Sequence, residues 1–110
     1  MTVAEPLIQA TLIGEAVDNG PFAIFVADDN GRYVAVNTFA CDLLGYTRGE
    51  LLSLTAHDLA PDESVTAHGR RLSGTAVLRH KDSSDVTIEW RASRTTVAGM
   101  EFFVSFASRV

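Results

Sequence analysis

The chain has 110 residues, 46% of them hydrophobic and 21% charged, with a formal net charge of −5. This is the composition of one ordinary globular domain that can bury a core, and its acidic balance lacks the basic footprint of a nucleic-acid binder. No apolar run reaches the length of a membrane span, the N-terminus lacks a signal-peptide pattern, and the single cysteine, Cys41, cannot close an intramolecular disulfide, so a reducing cytoplasm is the expected location.

Residues 5–18 carry helical spacing: Ile8, Leu12 and Ala16 recur every four residues, with Leu7 and Thr11 on the same stripe. Pro6 suits a first helical turn, and Asp18-Asn19-Gly20-Pro21 is a stop signal. Phe22 to Ala27 is an apolar strand buried on both faces, Asp28-Asp29-Asn30-Gly31 a turn, and Arg32 to Val36 a second strand, making a hairpin. Asn37 stands where a helix must start, and its side-chain oxygen suits it as an N-cap. Phe39, Ala40, Leu43 and Leu44 give that helix an apolar face, and Gly45 closes it. Thr47 and Glu50 have capping-box spacing for a second short helix. Residues 53–73 are less regular; a third short helix from Asp62 to about Leu72 is expected, ended by Gly74. The last third reads as three strands. Thr75 to Lys81 is one; Val86, Ile88, Trp90 and Ala92 alternate with polar residues in the next; Glu101 to Ala107 is the last, with turns at 82–85 and Ala98-Gly99. Helix, two strands, short helices and three strands make an α+β fold with an antiparallel sheet and the helices grouped on one face.

The stretch FVADDNGRYVAVNTFACDLLGYTRGELL resembles the first half of a PAS (Per-Arnt-Sim) domain: an apolar strand, Asp, a Gly turn, a strand ending in Val-Asn, a helix reading Ala-x-x-Leu-Leu-Gly-Tyr, then Glu-Leu. GTAVLRHKDSSDVTIEWRASRTTVAGMEFFVSFAS is similar to the closing three strands, with Ser83 in place of the glycine of the usual Lys-Asp-Gly turn. The resemblance covers about residues 14–109 and implies a five-stranded sheet in the order 2-1-5-4-3, with a cavity between sheet and helices. Residues 20–110 would form this domain and residues 1–19 a capping or dimerisation helix.

By that pattern, Phe25, Ala27, Val34 and Val36 point toward the helices, Ala40 and Leu44 point back at them, and Ile88, Trp90, Ala92, Phe103 and Ser105 complete the lining. The candidate ligand-binding residues are therefore Phe25, Ala27, Val36, Ala40, Leu44, Ile88, Trp90, Phe103 and Ser105. Ile24, Val26, Phe102, Val104 and Phe106 fall on the opposite face, which is too apolar to face water; the N-terminal helix is expected to cover it, and helix and face together to form a homodimer contact. The resemblance implies a sensory or interaction module of bacterial-type signalling, joined to an output domain in a larger protein. It would bind a small molecule, dimerise, or both. A ligand-free dimerisation module with a solid core is one alternative. A haem gas sensor is another, because Leu59-Ala60-Pro61 followed by His68 resembles the segment carrying the axial histidine in haem PAS domains. Against haem stand the short segment around His68, Gly74 where those domains place an arginine, and the bulk of Trp90.

No Asn-Cys-Arg-Phe-type flavin motif is present, and Cys41 reads as a structural thiol. Asp28 and Asp29 are explained by the hairpin turn and His57-Asp58 by a polar loop or cap; no phosphate loop, nucleophile elbow or zinc motif accompanies them, so no enzymatic activity is expected. Arg79, His80 and Lys81 read as a solvated strand end, and Glu89, Arg91 and Arg94 as cross-strand charge pairs.

Overall fold

A computed structural model describes residues 5–60 and 72–110. The expected third helix from Asp62, and His68 with it, lie outside the described residues. The elements are α1 (Glu5–Asp18), β1 (Ala23–Asp28), β2 (Tyr33–Val36), α2 (Thr38–Leu44), α3 (Arg48–Leu51), α4 (Ala56–Leu59), β3 (Ser73–Arg79), β4 (Asp85–Val97) and β5 (Met100–Arg109). The five strands form one antiparallel sheet in the order β2-β1-β5-β4-β3, as expected for the α+β fold.

Register divides the sheet into two faces. Phe25 pairs with Ser105, Ala27 with Phe103, Trp90 with Ala107 and Ala76 with Ile88; these residues share the inner face, where the helices pack. Ala40 and Leu44 of α2, Leu51 of α3, and Ala56 and Leu59 of α4 close over it in one apolar cluster. Ile24, Val26, Val104 and Phe106 pair with one another on the outer face.

Two local devices hold the helices to the sheet. Asn37 is 2% exposed and its side chain is fully engaged. Its Oδ1 accepts from the backbone N–H of Ala40 at 3.0 Å and of Ile24 at 2.9 Å, while its Nδ2 donates to the carbonyls of Val17 at 2.8 Å and Phe22 at 2.7 Å. Capping α2 is thus one of four tasks. The Thr47–Glu50 capping box is present at α3. Thr55 and Asp58 form a second such box at α4, within the irregular stretch after α3.

Several expectations are corrected. Val34 does not point inward: the register between β1 and β2 shifts between Val26 and Ala27. This bulge inserts an extra residue and breaks the alternation, as bulges do, so Tyr33 takes the buried position and Val34 lies exposed. Gly74 does not end a helix; it lies within β3 opposite Trp90. β3 ends at Arg79, and Lys81 belongs to the following turn, where its N–H donates to the carbonyl of Leu44 at 2.9 Å. Finally, α1 does not cover the outer face. Its residues 6–17 are all exposed, with Leu7 at 72% and Leu12 at 64%.

Candidate functional site

A cavity of about 30 Å³ lies on the inner face of the sheet. Four of the expected lining residues, Phe25, Ile88, Trp90 and Ser105, surround it, joined by Tyr33, Ala76, Leu78 and Ala107. Of the last four, Tyr33 is brought in by the bulge, while Ala76, Leu78 and Ala107 lie on expected strands but are not among the expected lining residues. Ala27, Val36, Ala40, Leu44 and Phe103 are buried but do not border this space, because they fill the core around it. Ligand pockets usually measure about 300–1,000 Å³, so the described interior is close to a packed core with room for one or two water-sized groups.

The chemistry of the lining is sparse. Trp90 is partly buried, and its Nε1–H, shut off from solvent, meets no hydrogen-bond acceptor; no other buried side-chain N or O among the described residues is left so. Ser105 adds a hydroxyl. Phe25 and Tyr33 pack with ring centres 5.4 Å apart, and burial, reinforced by the charge of Asp58, pushes the Tyr33 phenol well above its ordinary value, so it stays neutral. Among the described residues, the space beside Trp90 is too small for a porphyrin. Burial likewise pushes the Cys41 thiol up, against a smaller opposing effect of Arg48, which leaves it a poor nucleophile.

The remaining polar groups fall outside the cavity. Asp28 Oδ1 accepts from the N–H groups of Asn30 and Arg32 within the hairpin turn. Asp58 is spent on the α4 cap, and His57 beside it is exposed. Arg79 approaches Asp85 at 4.0 Å and Lys81 pairs with Glu50 at 2.8 Å. His80 departs from the solvated strand end: its ring lies against Gly45, and its Nδ1 accepts from the N–H of Asp82 at 3.1 Å. Arg94 stands on the inner rather than the outer face. It shares the inner register with Phe103, and its guanidinium carbon lies 5.5 Å from the centre of that ring. No metal-binding group of His, Cys, Asp or Glu occurs among the described residues, and no described helix is long and apolar enough to cross a membrane.

A second concavity lies on the outer side. An open groove of about 650 Å³ runs past Phe22, Phe106, Glu89, Arg91 and Ser108. Trp90 borders both this groove and the interior cavity.

Comparison with known proteins agrees with this architecture. A family profile described as "PAS fold" matches residues 17–99. The fold is similar to that of a PAS domain from a two-component sensor histidine kinase, at TM-score 0.82 and 18% identity over 96% of this chain and 100% of that one. It is similar to the PAS domain of an HTR-like protein from Haloarcula marismortui, at 0.81 and 21% over 96% of each. A third similar structure is a domain of the sensory box sensor histidine kinase/response regulator from Geobacter sulfurreducens, at 0.77 and 24% over 94% and 97%. No curated protein matches the chain. With the profile spanning most of the sequence and the strands in the order β2-β1-β5-β4-β3, the chain belongs to the PAS family.

Proposed function

We propose that this chain is a sensory and interaction module of a signalling protein that works by self-association rather than catalysis, with a second copy covering α1 and the outer face of the sheet. The observation that carries this reading is α1 itself. Leu7, Ile8, Leu12, Ile13 and Val17 are all exposed, and Ile13 and Val17 lie off the stripe of Ile8 and Leu12, so apolar surface runs around much of the helix. A helix apolar on most sides is normally buried. The same chain exposes Phe22 and Phe106 beside the outer groove. A helix seeking cover and a groove carrying exposed Phe22 and Phe106 on one molecule are the complementary halves that a two-fold dimer uses twice. The sensor-kinase origin of two similar structures supports the signalling role, with an output domain elsewhere in the protein and a cytoplasmic location.

Sedimentation equilibrium of the purified chain tests the reading. The expected result is a dimer that Leu12→Glu and Phe106→Glu each convert to a folded monomer. A wild type that stays monomeric at every accessible concentration would overturn it.

A small-molecule role for the interior is a second reading, favoured by Trp90, which borders the cavity and whose sheltered Nε1–H meets no acceptor. Because Trp90 borders the outer groove as well, occupancy inside would bias the dimer contact through that residue. A ligand does this only by binding two packings with different affinity.

A further inference from the structure

We propose that α3 ties the two edges of the sheet together and carries a change at one edge to α1 at the other. Neither self-association nor an occupied cavity is needed for this. β2 and β3 are the outermost strands, with three others between them. α3 joins them through two charged side chains. Arg48 donates to the carbonyl of Val36, the last residue of β2, and to Asp18 and Thr38 at 2.8 and 3.2 Å. Glu50, two residues on, takes Lys81 on both carboxylate oxygens, at 2.9 and 2.8 Å. Lys81 lies just past the end of β3, and its backbone N–H is fixed to the carbonyl of Leu44. α3 is stiff enough to transmit, being a single capped turn anchored by the fully buried Leu51. Its ends share an atom: Glu50 Oε1 accepts both from Lys81 and, at 2.9 Å, from the N–H of Thr47 in the capping box beside Arg48. Loss of Lys81 therefore acts on the cap, and through it on Arg48. α1 is free to respond, because its residues 6–17 are exposed. Among the described residues, side-chain bonds from the rest of the domain reach it at Val17 and Asp18. The bond from Asn37 to Val17 acts as a pivot, and the one from Arg48 to Asp18 sets the swing about it. Linked ion pairs on a rigid element are a physical route for such coupling.

Amide hydrogen exchange followed by NMR tests the tie. The N–H of Thr38, which donates to Asp18 at 3.1 Å, reports the α1 end, and that of Ile88, in the core, reports opening of the whole domain. Lys81→Met touches neither α1 nor Arg48, yet should speed exchange at Thr38 roughly threefold relative to Ile88, the scale of one exposed ion pair. Lys81→Arg, which keeps the charge, should restore the wild-type rate. In an Arg48→Met background, Lys81→Met should add nothing further at Thr38. An unchanged Thr38, a rise shared equally by Thr38 and Ile88, or the same rise persisting in Arg48→Met would each overturn the tie. Should Arg48→Met fail to fold, nitroxides at Gln9→Cys and Thr87→Cys, in a Cys41→Ser chain diluted into unlabelled protein, decide. Lys81→Met should broaden the distance between α1 and the sheet, and an unchanged distance would overturn the proposal.

Discussion

Asn37 Nδ2 donates to the carbonyl of Val17 at 2.8 Å, joining the end of α1 to the start of α2 across 20 residues of chain. The same side chain bonds Ile24, Phe22 and Ala40. Nearby, Asp18 accepts from Thr38 and pairs with Arg48 at 2.8 Å, while Arg48 also donates to the carbonyl of Val36. The corner between β2 and α2 is therefore where the exposed helix is fastened to the wall of the core.

Replacing Asn37 tests how much of the domain rests on that corner. Asn37→Ala leaves buried N–H and C=O groups unmatched and removes a cap, and should cost about 3 kcal/mol, read from urea unfolding. Asn37→Asp keeps the acceptor for Ile24 and Ala40 but turns the donor atom into an oxygen facing two carbonyls. It should also destabilise, and more at pH 7 than at pH 4, where protonation restores a donor. Equal stability of the two proteins would show that the carbonyls of Val17 and Phe22 find other partners.

Gly45 and Gly99 both have left-handed backbones, at φ 77° and 78°, but different surroundings. A Cβ on Gly99 meets nothing within 4 Å, whereas one on Gly45 would stand 2.5 Å from Cε1 of His80. Gly99→Ala should cost about 1 kcal/mol, the backbone penalty alone. Gly45→Ala should cost clearly more, and the excess should vanish in the His80→Ala background. A double-mutant cycle on thermal unfolding checks this.

Ser83 occupies a left-handed conformation at φ 73°, at the position where the family's turn carries glycine. A serine there is strained, so Ser83→Gly should stabilise the chain by about 1 kcal/mol. Because the residue lies in an exposed turn, the gain should appear without any change in self-association. A lower melting temperature for Ser83→Gly would refute the strain.

Hydrogen bonding from Arg48 holds the Asp18 carboxyl below its ordinary 3.8, and that from Lys81 holds Glu50 below its ordinary 4.5. For an acid lowered on folding, the stabilisation is present above the unfolded value and is lost as pH falls through the folded one. Melting temperature should therefore decline below about pH 4.5. Lys81→Met should flatten the Glu50 part of that decline, and high salt should weaken it because both pairs are exposed. A steeper acid limb in Lys81→Met would contradict the assignment.

The features legible from sequence were those whose cause is local. A cap accepts from a backbone N–H within three residues, so Asn37 and the Thr47–Glu50 pair declare α2 and α3 at their own positions. The Thr55–Asp58 pair carries the same signal with aspartate in place of glutamate, but sits in an irregular stretch where Asp58 reads equally as a polar loop or a cap. Strict alternation in β4 marked Val86, Ile88 and Trp90 as one face. Tertiary structure decided what depends on a partner strand or a distant surface. The bulge between Val26 and Ala27 arises from pairing with β2, and it exchanged Val34 for Tyr33 in the core. Gly74 carries a breaker's identity but is held in β3 by its ladder with β4. The apolar spacing of α1 asks for burial without naming the surface that provides it, and none of the described residues provides it. The cavity volume, too, follows from how Phe25, Tyr33, Leu78 and Trp90 pack against one another, which no single segment of the sequence encodes.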